Sequence, residues 1–159
     1  MSNENVVFPL TIFYDDSCPL CRAEMNEIKR CDSRDRLHLL DCSKAGFCDA
    51  TAAGKGILRD DMMRLIHARD ASGRWLVGVE VFIAVYRAIG IESVARMFES
   101  STLRPFWDRF YPWIARHRMA LSRLGITQVF AVCVGWAARR AQRRMGGCVD
   151  RNCVSATVD

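Results

Sequence analysis

The sequence has no apolar run long enough to cross a bilayer. Its most apolar window, residues 126–138, already contains Thr127 and Gln128, and a spanning helix needs about 20 apolar residues. An integral membrane protein is therefore not expected. The N-terminus, MSNENVVFPL, lacks a basic segment followed by an apolar one, so no secretory signal is expected either. Histidine is scarce. His38, His67 and His117 are far apart, none at ligand spacing from another, so each reads as structural or surface and a histidine metal centre is disfavoured. Lysine is nearly missing, since 20 of the 23 basic residues are arginine. There is no internal repeat and no low-complexity segment.

Cysteine, by contrast, is plentiful, with eight residues. Without an export signal a secreted disulfide framework is disfavoured, and a reducing, cytoplasmic location would keep most of them as thiols. Such cysteines are more often core, catalytic or metal-binding. The 159 residues, half of them hydrophobic, suit one globular domain with a helical extension. The net charge is +5, and ten arginines between positions 104 and 151 face only Asp108 and Asp150. Nucleic acid or anionic lipid would suit that surplus. Solvated helix faces are the simpler reading, so no nucleic-acid partner is expected.

Residues 6–14 (VVFPLTIFY) read as a buried strand with Pro9 near its start. A helix is expected over residues 19–30, where Cys21, Met25, Ile28 and Cys31 recur at helical spacing. Arg22, Glu24, Asn26, Glu27 and Lys29 would fill its polar side. Residues 37–41 read as a second strand, 43–58 as a loop, and 59–65 as a helical turn or two. Residues 66–70 and 74–79, around Ala71-Ser72-Gly73, read as a hairpin. Residues 81–89 read as a helix. Residues 92–145 are helical in pattern, with breaks near Pro105, Pro112 and Gly125. The expected fold is α/β: a thioredoxin-like mixed sheet with flanking helices over residues 6–91, a C-terminal helical extension over 92–145, and a flexible cysteine-containing tail over 146–159.

The segment YDDSCPLC places Cys18 and Cys21 between a strand and a helix. With Cys18 as N-cap, Pro19 takes the first helical position, where its missing N–H costs nothing. The Cys18 sulfur then faces the free N–H groups of Leu20 and Cys21. Those donors and the helix dipole favour the thiolate. Cys18 would be the nucleophile and Cys21, one turn on, the resolving thiol within disulfide reach. Cys31 lies about 15 Å further along the helix axis and reads as core. A redox pair is the favoured reading; metal ligands and structural thiols remain open. Asp15 is a candidate base for the Cys21 proton, or a solvated turn acid like Asp16. Arg22 most simply points to water.

The stretches FYDDSCPLC, GRWLVGVEVF and FYPWIARHR, in that order, resemble the DCC family of thiol-disulfide oxidoreductases, over residues 8–123. The family is named for an Asp and two Cys in a D-G-x-C-x-x-C motif. The resemblance places its Asp on Asp15, its cysteines on Cys18 and Cys21, its Gly-x-Glu segment on Gly78 and Glu80, and its later motif on Ile114, Ala115, Arg116 and Arg118. It implies a thioredoxin-like fold and dithiol–disulfide exchange with a disulfide- or thiol-containing protein or small molecule. No cofactor and no metal are implied. Two positions depart from the family pattern: Asp16 replaces the usual Gly, and Val81 a small residue. No proline lies between Pro19 and Pro105, so the cis-proline that thioredoxins place opposite the C-x-x-C is missing. Gly78-Val79-Glu80 is the expected replacement, giving Pro19, Gly78 and Glu80 as substrate-contact candidates.

The other cysteines leave alternatives. Cys148 and Cys153 form C-x4-C on the tail. They read first as unpaired, otherwise as a dithiol relay or as zinc ligands together with Cys18 and Cys21. In that last case the protein would be a zinc-stabilised or binding module without turnover. Cys42 and Cys48 flank a loop and read as unpaired thiols rather than a labile disulfide. Cys133 reads as core. In residues 126–145, Ile126, Phe130, Cys133 and Ala137 share a face that ends in Arg139, Arg140, Arg143 and Arg144. Packing back on the domain is preferred to contact with an anionic membrane surface.

Overall fold

In the computed structural model, residues 6–123 are described. The apolar run after Pro9 forms β1 (Leu10–Tyr14), and Leu10, Ile12 and Phe13 have no accessible surface. α1 (Pro19–Cys31) follows, then β2 (Leu37–Asp41), which lies parallel to β1 with Leu10 opposite Leu37. A parallel pair needs a crossover of a dozen or more residues, and α1 supplies it. After α2 (Ala50–Ala53) and α3 (Arg59–Arg64), β3 (His67–Arg69) runs antiparallel to β1, and β4 (Trp75–Val77) antiparallel to β3. The sheet order is β2-β1-β3-β4. α4 (Val79–Ala88), α5 (Glu92–Glu99) and α6 (Arg104–Arg123) complete the chain described. The α/β, thioredoxin-like mixed sheet is as expected, and a C-terminal helix is present.

Strand side chains alternate between faces, and the sheet uses both. Leu10, Ile12, Leu37, Ala68 and Leu76 pack with Met25 and Ile28 of α1 and with α4. Phe13, of opposite parity, packs with Cys42, Ala52 and Met62, and its ring stacks on Trp75 at 5.1 Å. α4 is buried nearly all round because α5 and α6 cover the side turned from the sheet. Phe82 packs edge-on against Tyr111, and Phe98 lies 4.8 Å from Trp107.

Several boundaries differ from expectation. Residues 6–9 precede the strand; their Phe8–Pro9 peptide is cis. The 43–58 loop contains α2, whose Asp49 cap accepts a bond from Ala52 N. α4 begins two residues early because Gly78, at φ +64°, turns the chain directly out of the hairpin. Pro112 does not break α6. It lies on the exposed side, while Tyr111 and Ala115 hold the helix to the core; packing outweighs a proline penalty of about 3 kcal/mol. Gly125, Cys133, Cys148, Cys153 and the 126–145 segment lie outside the described residues.

Candidate active site

The turn after β1 delivers Cys18 to the N-cap of α1 in an extended conformation, with Pro19 opening the helix. The Cys18 Sγ accepts a bond from Cys21 N at 3.5 Å. The Cys18–Cys21 pair is 3.1 Å apart, and both thiols are free. The Cys18 pKa is drawn down to about 6. The Cys21 thiol, donating to the Cys18 sulfur, is the main cause. Burial opposes it, while Cys21 N–H, the Arg118 charge and Leu20 N–H assist. The Cys21 thiol is pushed far up, because its proton binds the neighbouring thiolate and the site is buried. Both shifts favour a thiolate on Cys18 held by a thiol on Cys21. Leu20 N also donates to Ser122 Oγ of α6 at 3.2 Å. Cys18 has no accessible surface, whereas Pro19 beside it is exposed.

Asp15 is buried, and both its oxygens are engaged. One accepts from Ser17 N at 3.0 Å and from the Ser17 hydroxyl, the other from Arg118 at 2.6 Å. Arg118 also donates to Met63 O at 2.6 Å. The pair thus ties the end of β1 to α6 and to α3, across 103 positions of sequence. Asp16 accepts from the Tyr14 hydroxyl at 2.9 Å, and its own N–H donates to Asp41. It needs no left-handed backbone; among the described residues the only non-glycine at positive φ is Asp35. Replacing the family Gly by Asp16 is therefore unstrained here. Arg22 approaches Asp16 at 4.0 Å and is largely exposed.

A cavity of about 60 Å³ lies between α1, α4, α6 and the entry to β3. Cys21, Glu24, Tyr14, Ile66, Tyr111 and Arg118 are among its lining residues. Glu24 was expected on the polar side of α1. It instead lines this cavity one turn beyond Cys21, on the stripe that continues through Ile28. Burial, and secondly the Cys18 thiolate, raise its carboxyl pKa to about 8. The signal was present in the sequence: Glu24 stands three residues after Cys21, and such residues share a helix face. Tyr111 accepts from Ile66 N at 3.1 Å and closes one wall.

Gly78 and Glu80, the expected cis-proline replacement, do not line the cavity. Gly78 backs onto the Tyr111 ring, where an added Cβ would sit 3.5 Å away. Glu80 turns towards Arg104 at the start of α6, at 3.8 Å. The segment facing the cavity is Ile66, before β3. Among the described residues no group of three or more His, Cys, Asp or Glu is placed to hold a metal ion. His67 bonds Leu65 O, His117 bonds Trp113 O within its own helix, and His38 is exposed.

Cys31, Cys42 and Cys48 form no disulfide among the described residues. Cys42, just after β2, has no accessible surface and packs on Phe13, Ala52 and Met62. Burial, chiefly, pushes its thiol up to about 12. Cys48 is exposed, and Cys31 packs partly against the core.

A family model described as DCC1-like thiol-disulfide oxidoreductase matches residues 12–124. An uncharacterised chloroplastic protein of Arabidopsis thaliana is 25% identical over 114 residues, which cover 71% of this chain and 52% of that protein. The chain thus spans about half the length of this curated relative. No solved structure matches.

Proposed function

Because the chain belongs to the DCC1-like thiol-disulfide oxidoreductase family, we propose that it exchanges dithiols and disulfides through Cys18 and Cys21. The observation that carries this reading is the Cys18 sulfur at the α1 N-cap, accepting from Cys21 with a pKa near 6. At neutral pH it is mostly thiolate, the reactive form. The thiolate attacks one sulfur of a substrate disulfide, the S–S bond breaks, and the other sulfur leaves as a thiolate. A mixed disulfide with Cys18 remains. Its formation removes the negative charge that held the Cys21 proton and that, second to burial, raised Glu24. Glu24, one turn away, accepts the Cys21 proton as general base in its ionised form, which a carboxyl titrating near pH 8 supplies increasingly as pH rises. Cys21 attacks Cys18, the second substrate thiolate departs, and the protein is left with a Cys18–Cys21 disulfide.

In this reading Asp15 is a positioning residue. Its carboxylate is spent on Ser17 and Arg118, which fixes the turn before Cys18 and brings the Arg118 charge to the thiolate. Pro19 offers an exposed surface beside the nucleophile for a protein or small-molecule disulfide. Since Cys18 has no accessible surface, attack requires local opening around the start of α1. A reducing compartment such as the cytoplasm, which keeps cysteines as thiols, is the proposed setting.

Single-turnover kinetics with a small aromatic disulfide test the proposal. Cys18→Ser is expected to abolish rapid mixed-disulfide formation, and Cys21→Ser to form it and stall. Rapid reaction surviving in Cys18→Ser would refute the assignment. Stoichiometric zinc, lost together with the fold in Cys18→Ser, would move the cysteines to a metal-binding role.

A further inference from the structure

α6 has two faces, and the active site uses only one. Trp107, Tyr111, Ala115, Arg118 and Ser122 recur at helical spacing on the inner face, against α4, α5 and the α1 N-terminus. On the outer face, Phe106, Phe110, Trp113 and His117 form a continuous ridge. Phe106 and Phe110 stack at 5.0 Å, Phe110 and Trp113 at 5.7 Å, and Trp113 and His117 lie 4.8 Å apart. Phe106 is 52% exposed, Trp113 50%, and Leu103, just before the helix, 40%. Arg109 and Arg116, both exposed, flank the ridge on one side, and neither has an ion-pair partner among the described residues. The one acid of α6, Asp108, lies on a different face and is bonded to Arg104 at 2.8 Å.

We propose that this outer face of α6 docks on an anionic membrane surface, with Phe106, Phe110 and Trp113 entering the headgroup boundary and Arg109 and Arg116 meeting lipid phosphates. Aromatic side chains beside arginines, on a helix lying flat, are what such a boundary accommodates. Charge decides between occupants. A second copy would bring four guanidinium groups to the contact with no carboxylate from this face to meet them. An anionic surface supplies the missing charge and is reinforced by the arginine surplus from position 104 onward. Docking would leave the inner face free to hold Arg118 and Ser122 at the cysteines, about one helix diameter, ~10 Å, from the lipid. The inference is independent of the redox assignment.

Co-sedimentation of the full chain with phosphatidylcholine vesicles, with and without phosphatidylglycerol, tests it. Binding is expected to the anionic vesicles only, and to fall steeply with salt. Arg109→Gln and Arg116→Gln are each expected to weaken it about fivefold. Phe110→Ser with Trp113→Ser should weaken it by about tenfold or more while the Cys18 pKa stays unchanged, which shows the fold intact. Three results would overturn the proposal: no preference for anionic vesicles, undiminished binding in the Phe110/Trp113 variant, or a lipid-independent dimer abolished by that variant. Neutralising Arg139, Arg140, Arg143 and Arg144 serves as a control. If that change alone removed binding, the later segment and not α6 would be the contact.

Discussion

Cys18 and Cys42 make a natural pair for comparison. They follow neighbouring parallel strands, β1 and β2, and both lack accessible surface. Yet the Cys18 thiol is drawn down to about 6 and the Cys42 thiol pushed up to about 12. Burial opposes the thiolate in both. What differs is the donors. Cys18 sits at a helix start with a thiol and N–H groups aimed at its sulfur, and Arg118 nearby. Cys42 meets Phe13, Ala52 and Met62, and the carboxylate of Asp41 works against it. The two thiol pKa values are set apart by what points at the sulfur, and burial alone pushes a cysteine away from its thiolate form.

The sharpest way to break that comparison is to delete each thiol in turn. Cys18→Ser should bring disulfide exchange to background, while Cys42→Ser leaves the rate per folded molecule unchanged. Next, Arg118→Ala removes one partner of a buried pair. Chemical denaturation should show a loss of about 3 kcal/mol, and the Cys18 pKa should rise. Arg118→Lys should restore part of the charge effect but not the contact to both Asp15 and Met63.

Glu24→Gln sharpens the account of the second step. Release of the mixed disulfide should slow by about a hundredfold while the first attack is unchanged, measured by stopped-flow. The same variant carries a pH signature. The Glu24 carboxyl titrates near 4.5 in the unfolded chain and about 8 in the fold. Between those values the folded chain holds the extra proton, so this group costs increasing stability as pH rises from about 4.5 to about 8. Glu24→Gln should therefore raise the melting temperature near pH 8 and leave it unchanged below the unfolded value. The size is a few kcal/mol at most, at about 1.4 kcal/mol per pH unit. The smallest effect is expected of Cys42→Ala, a stability loss of about 1 kcal/mol with no change in the thiolate titration.

The strand–C-x-x-C–helix junction was legible because its determinants are local. A proline at the first helical position and a capping cysteine specify the α1 start, and the apolar spacing specifies its buried face. β2 matches its expected bounds for the same reason. Pro112 misled because a local helix-breaking rule was outweighed by the packing of Tyr111 and Ala115, which periodicity alone does not weigh. Glu24 was read by its charge instead of its position on the stripe. The tie between Asp15 and Arg118 joins two motifs far apart in sequence. The family resemblance marked both residues, but only the fold shows that they meet. The same holds for Gly78 and Glu80, where the resemblance marked the positions and the hairpin geometry turned them from the cavity.

The most direct test of the central claim is the titration of Cys18, followed by thiolate absorbance of the reduced protein with Cys18→Ser as the reference. The account predicts a transition near pH 6 that is lost in Cys18→Ser and moved upward in Cys21→Ala. A Cys18 transition at or above the free-thiol value of about 8.5 would contradict it, since the N-cap donors would then not be holding a thiolate.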